Sequence, residues 1–110
     1  MNFKKINNIH FVGIGGIGMS GIAELLINLG FNVSGSDLIK SELTDKLKRK
    51  NATISYSHSP KNVHDCDLLV YSSAIDIDNV ELIEAKSRKI PIFKRAEMLG
   101  ELVTLKKTSI

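Results

Sequence analysis

The apolar residues of this chain fall into short runs separated by amphipathic stretches. Ile9-His10-Phe11-Val12-Gly13-Ile14 reads as a short buried strand, since a parallel strand covered on both faces is a near-continuous apolar run. Beyond a cluster of glycines, Ile22, Leu25, Leu26 and Leu29 recur at helical spacing with Ala23 beside them. That spacing predicts a helix with one apolar stripe, and Gly30 stands where it should close. Phe31 to Asp37 gives a second strand with an acid at its end. Ser41 then suits an N-cap, Glu42 lies in the first turn, and Lys48, Arg49 and Lys50 crowd the last one. This charge order complements a helix dipole, and Leu43 and Leu47 make the helix amphipathic.

Thr53 to Tyr56 predicts a third strand, followed by a loop or helical turn from Ser59 to His64, and Asp67 to Ser72 a fourth strand. Asp78 with Glu81 three residues on reads as a capping pair, opening a helix that ends near Lys89. Ile90 to Phe93 forms a fifth strand, where Pro91 fits the beginning. A last helix runs from about Ala96 to Val103, with Met98, Leu99, Leu102 and Val103 on one side. Thr108-Ser109-Ile110 resembles a sixth strand that has only started, which suggests a chain cut at a domain boundary. Strands alternating with helices imply an α/β fold with parallel pairing and right-handed crossovers.

A length of 110 residues allows one domain, residues 1–110, with no repeat or linker inside it. Fifteen Lys and Arg against twelve Asp and Glu give a net charge of +3. No aromatic or arginine-rich stripe accompanies that excess, so nucleic acid is not an expected partner. The lone cysteine, Cys66, cannot form an internal bridge and fits a reducing, cytoplasmic location. The stretch from Ile9 to Leu29 follows Lys4 and Lys5 and imitates a signal peptide. His10, Ser20, Glu24, Asn28 and five glycines interrupt it, so neither secretion nor membrane insertion is expected.

Gly13-Ile14-Gly15-Gly16-Ile17-Gly18 matches G-x-G-x-x-G between a predicted strand and a predicted helix, the context in which that string has meaning. Gly13 suits the tight turn, Gly15 the approach of backbone to a phosphate, and Gly18 close helix-strand packing. The first amides of the helix then face an anion. Asp37 lies 24 residues after Gly13, where a dinucleotide enzyme keeps an acid for ribose hydroxyls; as a turn or capping residue it would look the same. Spacing alone leaves NAD and a nucleotide sugar both open, and with them an NAD-binding regulatory module or an oxidoreductase fragment.

The string IHFVGIGGIGMSGIAE from Ile9 to Glu24 goes beyond that fingerprint and resembles the opening of the Mur ligases, in particular those that add L-alanine. The likeness continues through Asn32 to Asp37, Tyr71 to Ile75, and Ile90 to Leu99, in the family's order. The resemblance implies a three-layer, Rossmann-like domain with a mainly parallel sheet of about five strands that holds the UDP part of UDP-N-acetylmuramic acid. On this chain Gly13, Gly15, Gly16, Ile17 and Gly18 would offer the diphosphate turn, with Ser36 and Asp37 beside the uridine and His58 near the uracil. Ser72, Ser73 and Ala74 would line the phosphate and sugar channel, and Arg95 would face the substrate or a neighbouring domain. The family phosphorylates the lactyl carboxylate with ATP and Mg²⁺, and the amine of L-alanine attacks the acyl phosphate. No G-x-x-x-x-G-K-[ST] loop occurs in these 110 residues, so the expectation for this domain is substrate binding with no catalytic residue and no cofactor of its own.

The remaining reactive side chains have plainer readings. His10, His58 and His64 lack metal-ligand spacing and a cysteine partner, so no metal is expected. His10 reads as structural and His64 as a solvated loop residue, while His58 is either a surface residue or a base contact. Cys66 reads as a small packed side chain, Asp76 and Asp78 as a turn and a cap. The basic clusters Lys46–Lys50 and Lys86–Lys89 read as helix ends.

Overall fold

The computed structural model describes residues 5–108, with side-chain surroundings described through residue 103. Five strands, β1 (Asn8–Val12), β2 (Asn32–Ser36), β3 (Thr53–Ser55), β4 (Leu68–Tyr71) and β5 (Ile92–Lys94), form one sheet in the order β3-β2-β1-β4-β5. Every pairing is parallel. Four α-helices join them: α1 (Met19–Asn28), α2 (Glu42–Arg49), α3 (Val80–Ser87) and α4 (Arg95–Thr108), with a 3₁₀ turn at Pro60–Val63. The expected α/β class, strand number and parallel pairing are what the structure has. The chain builds outward from β1 to β3, then returns to the other side of β1 for β4. The strand order therefore reverses between β1 and β4, the position where open α/β sheets bind ligands.

Alternation along the central strands separates two cores. Ile9 and Phe11 of β1 and Leu68 and Val70 of β4 face one layer, packing with Met19, Ile22, Ala23 and Leu26 of α1, Leu47 of α2, and Met98 and Leu102 of α4. Val12 and Leu69 face the other, against Val63, Leu82 and Ala85. In β2, Gly35 makes room for Ile14: a methyl group there would stand 2.4 Å from the Ile14 Cδ1 and 2.7 Å from its Cβ.

Several local expectations shift. β1 ends at Val12 rather than Ile14 because the chain turns at Gly13, whose amide already donates to Ser36 O at 2.8 Å. The buried stripe of α1 is Met19, Ile22, Ala23 and Leu26, and Leu25 and Leu29 lie about half exposed. The helix closes as expected at Gly30, where the Gly30 and Phe31 amides return to the Ile27 and Leu26 carbonyls. Ser41 does cap α2, in a reciprocal pair with Thr44, and Thr44 and Leu47 rather than Leu43 are buried. Asn79, not Asp78, caps α3. Glu81 serves no cap at all, for reasons that belong to the site. In α4 only Met98 and Leu102 of the expected stripe are buried. Thr108 closes that helix instead of opening a strand, and Ser109 and Ile110 lie outside the described residues.

Candidate functional site

The glycine turn sits at the carboxyl edge of β1, against the end of β4. Both Gly13 and Ile14 amides donate to Ser36 O, at 2.8 and 3.1 Å, and Gly16 N donates to Gly13 O at 3.0 Å. A side chain at Gly13 would come within 3.1 Å of Ser72 Cβ, so the turn and the Ser72-Ser73-Ala74 segment are neighbours across the switch point. The Ala74 amide donates to Ser72 Oγ at 3.1 Å, and Ser73 and Ala74 are exposed.

Gly18 caps α1 with φ 83°, a left-handed conformation that glycine adopts without strain. The Ile17 and Gly18 amides have no hydrogen-bond partner among the described residues, and the first turn of α1 carries no acidic side chain. The positive end of the helix dipole is thus left open to an anion. Arg95, which opens α4 directly after β5, lies across this turn: a methyl group on Gly18 would meet its guanidinium nitrogen at 3.1 Å and its Cδ at 3.3 Å. Two sources of positive potential from opposite ends of the chain converge here.

Asp37 is engaged differently from a ribose ligand. Its Oδ2 accepts the Gly15 amide at 2.9 Å and its Oδ1 the Ile39 amide at 3.1 Å. Of the loop amides assigned to a phosphate, Gly15 and Gly16 are therefore bonded within the protein, and Ile17 and Gly18 are the open ones. Large exposed apolar side chains gather on the same edge, with Ile17 in the glycine turn, Leu38 and Ile39 after β2, and Ile77 after β4.

Behind this edge lies a buried polar cluster that the sequence did not announce. Ser36, at the end of β2, is wholly buried, and its hydroxyl donates to Glu81 Oε1 at 2.8 Å. His10 Nε2 reaches the same oxygen at 2.6 Å, and its Nδ1 lies 2.8 Å from Ser34 Oγ. On Glu81 Oε2 converge the Ser59 amide at 3.1 Å, Asn62 Nδ2 at 2.9 Å and His58 Nδ1 at 3.3 Å. His58 Nδ1 also lies 2.9 Å from Ser36 Oγ. Burial pushes the Glu81 carboxyl up, but hydrogen bonds from His10, Asn62 and Ser36 outweigh it and hold the pKa at about 2. Glu81 is thus an ionised, fully buried hub joining β1, β2, α3 and the loop after β3. Three residues after Asp78 it looked like a capping partner; its side chain turns inward instead. The nearest sequence clue was His10, a polar residue inside the otherwise apolar run Ile9 to Val12.

The other candidates sit apart. His64 is exposed, 3.5 Å from Glu84. Burial, followed by the Asp67 charge, raises the Cys66 thiol to about 11, which suits a packed side chain and not a nucleophile. Among the described residues no group of three or more His, Cys, Asp or Glu could hold a metal ion, and no helix is long and apolar enough to cross a membrane.

The profile described as "Mur ligase family, catalytic domain" matches residues 8–107. The UDP-N-acetylmuramate-L-alanine ligase of Geotalea daltonii is 57% identical over 104 residues, 94% of this chain and 23% of the relative. That of Anaeromyxobacter dehalogenans strain 2CP-1 is 59% identical over 98 residues, 89% of this chain and 21% of the relative. The solved UDP-N-acetylmuramate-alanine ligase of Thermotoga maritima superposes with a TM-score of 0.86 at 36% identity, over 91% of this chain and 23% of that one. The chain spans under a quarter of the length of the relatives it matches. These relatives favour the ligase reading of the glycine turn over the dinucleotide one. With a matched profile covering nearly all of it, the chain belongs to the Mur ligase family.

Proposed function

We propose that this chain is the N-terminal, UDP-binding domain of a cytoplasmic UDP-N-acetylmuramate-L-alanine ligase. The observation that carries the reading is the convergence of the open Ile17 and Gly18 amides with the Arg95 guanidinium at the strand-order reversal. A helix start without acidic residues, faced by a guanidinium, suits the two negative charges of a nucleoside diphosphate. Ser72, Ser73 and Ala74 line the sugar side of the same edge. Asp37 steadies the turn from below, and the apolar rim of Leu38, Ile39 and Ile77 offers the nucleoside a dry wall.

In the complete reaction ATP supplies the phosphoryl group and Mg²⁺ its charge stabilisation. These 110 residues hold no lysine-bearing phosphate loop, so ATP, Mg²⁺ and L-alanine are assigned to other parts of the full-length enzyme. The role of this domain is to bind and orient UDP-N-acetylmuramic acid so that its lactyl carboxylate is presented outward.

A thermal-shift titration with UDP-N-acetylmuramic acid, UDP and NAD in parallel tests this. A ligand at 100 times its Kd stabilises by about 2.7 kcal/mol, about ten degrees or more in a domain of this size. Stabilisation by both uridine ligands and not by NAD is expected. Stabilisation by NAD alone would return the site to a dinucleotide.

A further inference from the structure

The protons around Glu81 can be assigned one by one. An ionised carboxylate only accepts, so the His10 Nε2 at 2.6 Å from Oε1 must carry a hydrogen. The single hydroxyl proton of Ser36 is also directed at Oε1. Ser36 Oγ therefore has only lone pairs to offer His58 Nδ1, 2.9 Å away. The second neighbour of that nitrogen, Glu81 Oε2 at 3.3 Å, is an acceptor as well. His58 Nδ1 is thus the donor, and in a neutral imidazole the opposite nitrogen, Nε2, is a bare lone-pair acceptor.

His58 Nε2 has no hydrogen-bond partner among the described residues. Yet no buried side-chain nitrogen or oxygen among them lacks one, so Nε2 reaches solvent. It does so from the loop after β3, one hydrogen bond from the end of β2, beside the place where doubly wound folds hold the nucleoside. Glu81 fixes that loop as well, through the Ser59 amide and Asn62.

We propose that Glu81 is a positioning residue that, with Ser36, holds the His58 proton on Nδ1, so that Nε2 selects a pyrimidine with an imide N–H over one with a bare ring nitrogen. Uracil carries its N3 as N–H, whereas cytosine presents a lone pair there, and two lone pairs face to face repel. The inference rests on the uridine-diphosphate reading above and adds to it the origin of base choice.

Calorimetry on the 110-residue chain with UDP, CDP and 3-methyluridine 5′-diphosphate tests the selection, and ¹⁵N NMR of the His58 ring tests the proton. UDP should bind at least about tenfold more tightly than either competitor, as expected for one unmade hydrogen bond at a partly buried acceptor. His58 should show protonated Nδ1 and bare Nε2 in the free chain. In Glu81→Gln the new amide can donate to Nδ1, so the UDP-to-CDP preference should fall toward one. A purely structural role would weaken both ligands equally and leave the ratio unchanged. Should Glu81→Gln not fold, the methylated ligand and the NMR signal of the unaltered chain decide. Equal binding of UDP and its N3-methyl analogue, or a protonated Nε2, would overturn the proposal while leaving the diphosphate reading standing. A chain that binds none of the three loses both readings of the ligand.

Discussion

The Asp37 carboxylate accepts the Gly15 amide at 2.9 Å, which ties the end of β2 to the glycine turn after β1. The same carboxylate holds the Ile39 amide, so one side chain braces two loops at the carboxyl edge. Asp37→Ala removes both acceptors and should destabilise the domain by about 1 to 2 kcal/mol. It should also weaken UDP binding, because the turn loses its fixed shape. Urea unfolding and calorimetry read the two effects separately. A variant with lower affinity and unchanged stability would mean that Asp37 meets the ligand directly and braces nothing.

Arg95 projects over Gly18 from an exposed position, so its role should be electrostatic and not structural. Arg95→Ala is expected to leave the melting temperature within about four degrees, since exposed substitutions away from packed sites change stability little. UDP affinity should drop about tenfold or more, the range of a lost charge-assisted hydrogen bond. Uridine, which lacks the diphosphate, should bind the variant and the parent alike. An equal loss for uridine and UDP would remove Arg95 from the phosphate site.

The buried Glu81 makes stability depend on acid in a predictable direction. Its folded pKa of about 2 lies below the ordinary 4.5, so its contribution is complete above pH 4.5. That contribution is lost as the pH falls from about 4.5 to 2. The difference corresponds to about 3 kcal/mol for the single group. Chemical unfolding between pH 2 and 6 should show this slope in the parent. In Glu81→Gln the curve should start lower and run flatter over the same window. Parallel curves for the two proteins would mean that the carboxyl is not held ionised by its neighbours.

How much of this was legible in sequence follows from the range of the interactions. The sheet and its parallel pairing were readable because β1 and β4 are local apolar runs and the segments between strands carry helical spacing and caps. The glycine turn was readable because its strand-turn-helix context is contiguous. The stripe of α1 was misread at Leu25 and Leu29 because they satisfy helical spacing as well as Met19 and Ala23 do. Only the packing of neighbouring helices chooses between them. Glu81 was unreadable for a stronger reason. His10, its closest partner, is 71 residues away, and nothing local separates a capping carboxylate from one turned into the core. Likewise the meeting of Arg95 with Gly18 needs the whole sheet to be assembled first.

Gly35 is the position where the fold leaves least room. It lies in β2, between Ser34 and the buried Ser36, and an added methyl would stand 2.4 Å from Ile14 Cδ1, 2.7 Å from Cβ and 2.9 Å from Cγ2. The Ile14 Cβ is anchored directly to the backbone of the glycine turn, so a rotamer change alone cannot relieve the clash. Ile14 is itself fully buried, and its amide is tied to Ser36 O, so the strain should pass into the turn. Gly35→Ala should therefore destabilise the domain by about 3 kcal/mol, at the upper end of overpacking effects, and reduce UDP affinity with it. Trimming the neighbour tests the cause: in Gly35→Ala with Ile14→Ala, the second change should destabilise less than Ile14→Ala does in the parent. A double-mutant cycle by chemical unfolding measures that coupling. Strict additivity of the two substitutions would show that the Ile14 carbons beyond Cβ are not what excludes a side chain from position 35.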